Sequence, residues 1–458
     1  VSIIRRFYPA VALAGSLLLF AGCGGDRPAS QATPAATTSK DSASAPMAAD
    51  ATFAKRMRTT QTVPFEHAWD LQLPAGVHAS WIGGEIPDLL FVQVTGTNAI
   101  YAIDALSGKT RWVSQPLPAP ITLAPHAARL ILPSGRAGET VADDRLYFVS
   151  DDIMFCLDGV YGEVIWRYSL PFSTAAGPQA VGVDGNLRVF LGDWAGRVQV
   201  LTWTPKNGLA YQLWQYPVFA PVTAPAVAYE NLVYVGDQGG KVSCFDLDRE
   251  LKWQTKLGGK ILGSPTPISR LLYVGSTDNV FYCLNRLSGE ELARVHLNAP
   301  VTRAPFHFRE DPGLVYTWTD HADPSRGGLW CFEARSDQID LTHNLDAQNR
   351  PRKKEVIRLS QRWVVPGATR LISSSPEHLF VTGANPALVQ AINRKTGATD
   401  WAWNLNDGRT DKNKVVHVTA YQDPGDFTRA IIVVGADNRI DTYRLYGGRD
   451  VGVIAPQQ

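Results

Sequence analysis

Net charge is almost missing from this chain. Its 458 residues carry 44 Lys and Arg against 43 Asp and Glu, so no field is evident that would gather nucleic acid. Cysteine is scarce as well: there are five, and no two are adjacent. The nine histidines contain no His-x-His or His-x-x-x-His pair, which leaves a zinc site without support. Neither a Gly-x-Ser-x-Gly elbow nor a phosphate loop occurs. The most apolar stretch, Ala10 to Phe20, is too short to span a bilayer. No metal and no cofactor are expected from these features.

What the chain does have is a recurring eleven-residue pattern. It reads Ala102-Ile-Asp104-Ala-Leu-Ser-Gly108-Lys-Thr-Arg-Trp112, then Cys156-Leu-Asp158-Gly-Val-Tyr-Gly162-Glu-Val-Ile-Trp166. Later copies are Cys283-Leu-Asn285-Arg-Leu-Ser-Gly289, with Ala293 at the Trp position, and Ala391-Ile-Asn393-Arg-Lys-Thr-Gly397-Ala-Thr-Asp-Trp401. Before each copy comes a β-branched and aromatic run ending in a small residue, such as Leu232-Val-Tyr-Val-Gly236 or Leu271-Leu-Tyr-Val-Gly275. Such runs read as buried strands, and the Asp, Asn and Gly clusters after them suit tight hairpins. Four strands per repeat make a propeller blade. The second-strand landmark falls near Phe91, Tyr147, Phe190, Tyr234, Tyr273, Tyr316, Phe380 and Val433. The last repeat lacks its Trp strand, and Phe65-Glu-His-Ala-Trp69 near the other end of the chain supplies a candidate. The prediction is an all-β, eight-bladed propeller of four-stranded antiparallel blades, closed by an N-terminal strand, with seven blades as the alternative count.

The repeat resembles the tryptophan-docking motif of pyrroloquinoline-quinone-type propellers, over roughly residues 65 to 458. That resemblance implies a structural role for Ala102, Asp104, Gly108, Trp112, Asp158, Gly162, Trp166, Gly289, Gly397 and Trp401, each Trp packing between neighbouring blades. Departures occur at Trp253, whose copy is one residue short, and at Ala293. Relatives that oxidise alcohols or sugars hold calcium with carboxylates and amides, and often carry two adjacent cysteines. No such cluster maps onto this chain. Cys156, Cys244, Cys283 and Cys331 all occupy the repeat position of Ala102 and Ala391, which reads as small buried hydrophobes.

Residues 1–22 read as an export signal, with Arg5 and Arg6 before the apolar run. Phe20-Ala21-Gly22-Cys23 resembles a lipoprotein processing site with Cys23 as the lipidated residue, and Gly24 after it favours the outer membrane. Residues 23–62, rich in Ala, Ser, Thr and Pro, read as a flexible tether, and 63–458 as the propeller. Two insertions stand out. Leu117–Asp143 in blade two is apolar and Pro-rich at its start. Ala334–Gln361 in blade six reads as a polar loop, or else a partner-docking one, in which Asp337, Asp340 and Asp346 precede Arg350, Arg352, Lys353, Lys354, Arg358 and Arg362.

A tethered, lipidated propeller without recognisable catalytic groups is similar to the lipoproteins of outer-membrane β-barrel assembly. The similarity implies a non-catalytic, periplasm-facing scaffold, held to the membrane by its lipid anchor, with protein partners in the cell envelope and no nucleic acid. The alternatives are small-molecule or polysaccharide binding at the channel mouth, marked by His126 and Arg303, and quinone-dependent dehydrogenation.

Overall fold

The computed structural model describes residues 65–445, except 83–85, 87, 134–139, 184–185, 205–207, 309–310, 312, 324–325, 346–350 and 423–427. The export signal, Cys23 and the tether lie outside the described residues.

Each second-strand landmark sits in the middle of an antiparallel sheet, and eight such sheets follow one another along the chain. Blade one is Val77–Ile82, Leu89–Val94, Ile100–Asp104 and Thr110–Val113. Blade two runs from His126–Pro133 to Val164–Ser169, blade three from Gln179–Val183 to Leu209–Pro217, and blade four from Val227–Tyr229 to Leu251–Lys256. Blade five spans Thr266–Ile268 to Glu291–His296, and blade seven Arg370–Ser374 to Thr399–Asn404. Blade six has three strands, Leu314–Thr319, Gly328–Leu345 and Pro351–Pro366, its inner strand being reduced to a bridge between Phe306 and Tyr316. Blade eight is Val415–Gln422, Thr428–Gly435 and Arg439–Leu445, and its outer strand is Phe65–Gln72, paired antiparallel to Arg439–Leu445. The chain is thus an eight-bladed propeller closed by its N-terminal strand, which leaves no blade open at the join.

Register explains the residue choices. A large aromatic on the second strand faces a small residue on the third, which faces the outer-strand Trp: Phe91, Ala102 and Trp112 in blade one, Tyr147, Cys156 and Trp166 in blade two. Blade four repeats this with Tyr234, Cys244 and Trp253, and blade seven with Phe380, Ala391 and Trp401. The central aromatics are completely buried. A third-strand side chain between two rings must be small: Ala or Cys in these blades, and Val200 between Phe190 and Trp214 in blade three.

Blades are joined through the motif. The indole N–H of Trp112 donates to the Gly159 carbonyl of the next blade at 3.0 Å. Trp69, Trp253 and Trp363 make the corresponding bonds to Ala105, Arg286 and Arg394, at 3.1, 3.0 and 2.9 Å. Each indole lies against the turn glycine of that blade. A Cβ on Gly162 would come within 2.4 Å of Trp112, and Gly108, Gly289 and Gly397 stand against Trp69, Trp253 and Trp363 in the same way. These glycines have φ between +72° and +75°, where a side chain is strained in any case. The Asp or Asn of the motif ties the turn: Asp104 Oδ1 accepts from the Leu106 and Ser107 amides, Asp158 Oδ1 from Val160 and Tyr161.

The blade-six insertion is not a loop. Strand pairing continues from Glu333 opposite Ser360 to Leu345 opposite Pro351. It forms a two-stranded ribbon that runs on for about 40 Å, at roughly 3.3 Å per residue. Alternation with polar residues, of Ile339 and Leu341 on one strand and of Ile357 and Leu359 on the other, permits strands, although so dense a run of charge resembles a loop. The ribbon's base is laced by Arg362 and Arg335 to Glu333 and by Arg358 to Asp337.

Candidate functional site

Because strands alternate in direction, one face of the ring gathers the linkers between blades together with the turns between second and third strands. Linker and turn are bonded together: the Leu170, Leu257 and Leu297 amides donate to the Asp152, Gly240 and Asn279 carbonyls. Successive linkers press backbone to backbone. A Cβ on Gly177 would lie 2.2 Å from the Ala124 carbonyl oxygen, and one on Gly263 would lie 2.2 Å from the Arg303 carbonyl carbon. Ser264 Oγ donates to the Pro225 carbonyl and Thr266 Oγ1 to the Pro305 carbonyl. The result is a closed collar around the inner strands, where the channel opens on this face.

Arg303 lies in this collar, in the linker from blade five to blade six. One guanidinium nitrogen is 2.6 Å from Asp320 Oδ1, and another donates to the Thr369 carbonyl ahead of blade seven. Its guanidinium is 5.7 Å from the Trp318 ring centre, and Thr302 also bonds Asp320. Arg303 therefore links three consecutive blades, with its charge answered by Asp320. His126 heads the inner strand of blade two, its Nε2 3.4 Å from Gln179 Nε2 at the head of blade three and its ring 6.5 Å from Tyr147. The two sequence candidates thus occupy different sectors of the collar.

A pair missed in the sequence stands between the inner strands of blades seven and eight. Arg370 Nη1 and Nη2 lie 3.2 and 3.3 Å from the two ring nitrogens of His417. Enclosure by protein, then the neighbouring guanidinium, pushes His417 down to about 4. Enclosure also lowers Arg370. The available signal was a charged residue heading an inner strand whose counterparts are Gln179, Val227 and Thr266.

Three hollows lie away from these residues. A polar cleft of about 300 Å³ between blades seven and eight is lined by Trp403, Asn404, Arg409, Asn413, Asp441 and Tyr443. An apolar groove of about 710 Å³ runs along the outer strand of blade two, past Leu117, Pro118, Phe155 and Val164. A third, of about 440 Å³, lies in the collar beside Trp194, which is 55% exposed. Among the described residues no three His, Cys, Asp or Glu side chains converge to hold a metal ion. Cys156, Cys244, Cys283 and Cys331 are free and buried, and burial pushes each thiol up to about 12.

A family model described as outer membrane protein assembly factor BamB matches residues 209–321. Among solved structures, BamB from Moraxella catarrhalis aligns with a TM-score of 0.53 at 14% identity, covering 84% of this chain and 99% of that one. Quinohemoprotein alcohol dehydrogenase ADHIIG from Pseudomonas putida HK5 aligns at 0.51 and 13% identity, over 88% of this chain and 79% of that one. A computationally designed protein gives 0.53 at 12% identity, over 83% and 99%. No curated protein matches by sequence. Identities this low speak for the fold, and the matched family model adds the repeat type. The chain is a propeller of the pyrroloquinoline-quinone repeat type that resembles BamB.

Proposed function

We propose that this chain is a non-catalytic, protein-binding scaffold of the cell envelope that acts in outer-membrane protein assembly. In this reading it is anchored by lipid at Cys23 and faces the periplasm. The observation that carries the reading is the match of residues 209–321 to the BamB description. The ribbon of blade six supports it, since a projecting pair of strands offers backbone donors and acceptors to an extended partner. The apolar groove beside the outer strand of blade two offers the same kind of edge.

Mild cross-linking in intact cells, followed by purification through a C-terminal tag and mass spectrometry, tests the proposal. Recovery of the barrel-insertion subunit and unfolded barrel clients is expected. Recovery of cytochromes or sugar-acting enzymes without that subunit would overturn it. The Pseudomonas putida neighbour raises quinone-dependent oxidation as the second reading. Titration with pyrroloquinoline quinone decides between them, the scaffold reading expecting no change in the absorption of the quinone.

A further inference from the structure

Charges enclosed by protein are ordinarily paired with an opposite charge, because leaving water without compensation is expensive. The buried arginines of this propeller follow the rule: Arg145 meets Asp143, Arg286 meets Glu230, Arg394 meets Asp311 and Arg409 meets Asp441. Arg303, a few residues away across the collar, meets Asp320. Arg370 does not. Among the described residues its polar contacts are the two ring nitrogens of His417. An imidazole brings no negative charge, and this one is neutral at physiological pH. The nearby Thr369 carbonyl is already taken by Arg303.

The position makes this excess charge usable. Arg370 opens the inner strand of blade seven opposite Thr382, and His417 lies in the inner strand of blade eight opposite Val434. Both are therefore at the collar end of the channel wall. Arg370 remains exposed to water, so a solute can reach it. Contact through both guanidinium ends with both ring nitrogens lays the guanidinium alongside the imidazole, leaving its remaining N–H donors open to water. A guanidinium fork matches the two oxygens of a carboxylate or the edge of a phosphate, and a neutral histidine adds one ring N–H. Low-dielectric walls concentrate the field of a single uncompensated cation.

We propose that Arg370 and His417 form an anion site at the collar end of the channel, which takes the carboxylate or phosphate group of a small molecule. The inference stands apart from the scaffold reading: the site binds its anion whether or not a protein partner docks elsewhere on the ring.

The test follows the His417 ring by NMR in the full chain, titrating sodium sulfate and, separately, sodium acetate against sodium chloride at constant ionic strength. Sulfate stands in for a phosphate group and acetate for a carboxylate. Saturable shifts of the His417 signals are expected with at least one of the two. The midpoint of its titration should rise as the bound anion offsets the Arg370 charge. Arg370→Gln should weaken binding by about tenfold or more, the consequence of losing charge-assisted bonds, and Arg370→Lys should weaken it less. Absence of saturable shifts with both anions in the unmodified chain would overturn the proposal, as would equal affinity in a folded Arg370→Gln variant. Because the unmodified chain decides the first point, a variant that fails to fold does not block the test.

Discussion

At the residue scale, the third-strand position follows its second-strand neighbour in six blades, blade three having Val200 opposite Phe190 and blade eight Asp441 opposite Val433 instead. Cysteine stands opposite tyrosine in Cys156–Tyr147, Cys244–Tyr234, Cys283–Tyr273 and Cys331–Tyr316, whereas alanine stands opposite phenylalanine in Ala102–Phe91 and Ala391–Phe380. A buried hydroxyl is better placed beside a polarisable thiol than beside a methyl group. Burial gives these thiols a measurable signature. Held up at about 12 from an ordinary 9.0, they stay protonated at pH 8, and only the thiolate reacts. With Cys23 replaced by Ser, Ellman's reagent should label none of the four until denaturant unfolds the ring. The linkage sign follows: above pH 9 the unfolded chain releases these protons while the folded chain keeps them. Stability contributed below pH 9 therefore declines toward pH 12, by about 1.4 kcal/mol per pH unit for each thiol, which urea melts at pH 8, 9 and 10 would read. The indoles give a second comparison. Trp112 donates to Gly159, but the Trp214 Nε1 is buried without a partner. The turn it faces in blade four is the shortened copy, in which Arg249 takes the positive φ. Trp112→Phe should therefore cost about 1 kcal/mol more than Trp214→Phe in a denaturant melt, the worth of one hydrogen bond. Gly162→Ala, forced against the Trp112 ring, should cost about 2 kcal/mol or more.

At the scale of elements, the third-to-fourth-strand connection is where the blades differ. In blades one, two, five and seven it is the tight motif turn, which receives the preceding blade's Trp or, in front of blade one, Trp69. In blade six the same connection is the ribbon, and the preceding blade has Ala293 where a Trp would stand. The two departures are one adaptation: Ile357 and Leu359 from the ribbon's base pack with Leu292 and Ala293 of blade five. Ile357, 6% exposed, belongs to the same hydrophobic cluster as Ala293. This coupling sets where the ribbon can be cut. Replacing Ile339–Lys354 with a two-residue turn keeps the anchored base, so the melting midpoint should stay within a few degrees of the intact protein. Recovery of the barrel-insertion subunit in the cross-linking assay should fall sharply. A cut that also removes Ile357 should lower stability by about 2 to 4 kcal/mol, the range for emptying a buried isoleucine site. Unchanged recovery after the shorter cut would remove the ribbon from the docking surface. The blade pattern was legible in the sequence because each strand's period and turn are local. The ribbon was not, because its pairing depends on a hairpin whose charge density, Arg352, Lys353, Lys354 and Asp340, looks like a loop. The Arg370–His417 pair was hidden for a different reason: its members are 47 residues apart and come together only through adjacent inner strands.

At the scale of the whole molecule, closure decides whether eight weak modules behave as one. Each blade buries its faces only against its neighbours, so an open array has two exposed flanks and a closed ring has none. The chain closes its ring by putting Phe65–Gln72 at the outside of blade eight, whose other strands come from residues 415 to 445. Three residues lock the join. Phe65 stacks on Trp403 at 5.8 Å and meets Phe380 and Trp401 edge-on at 5.9 and 6.2 Å, across the seam to blade seven. Trp69 bonds the Ala105 carbonyl across the seam to blade one. Arg444 reaches the Leu106 carbonyl from the neighbouring strand. One short segment therefore touches both neighbours of the blade it completes. Its removal exposes the unpaired edge of Arg439–Leu445 and opens both seams together. A chain beginning after Gln72 should lose cooperative unfolding and form soluble aggregates through that edge, read by light scattering after size-exclusion chromatography. Trp69→Ala should keep the strand but loosen the seam to blade one, lowering stability by about 3 to 5 kcal/mol with a single transition retained. If the chain lacking Phe65–Gln72 stayed monomeric with an unchanged melt, closure would be dispensable, and the contacts within each blade would have to account for the stability of the ring.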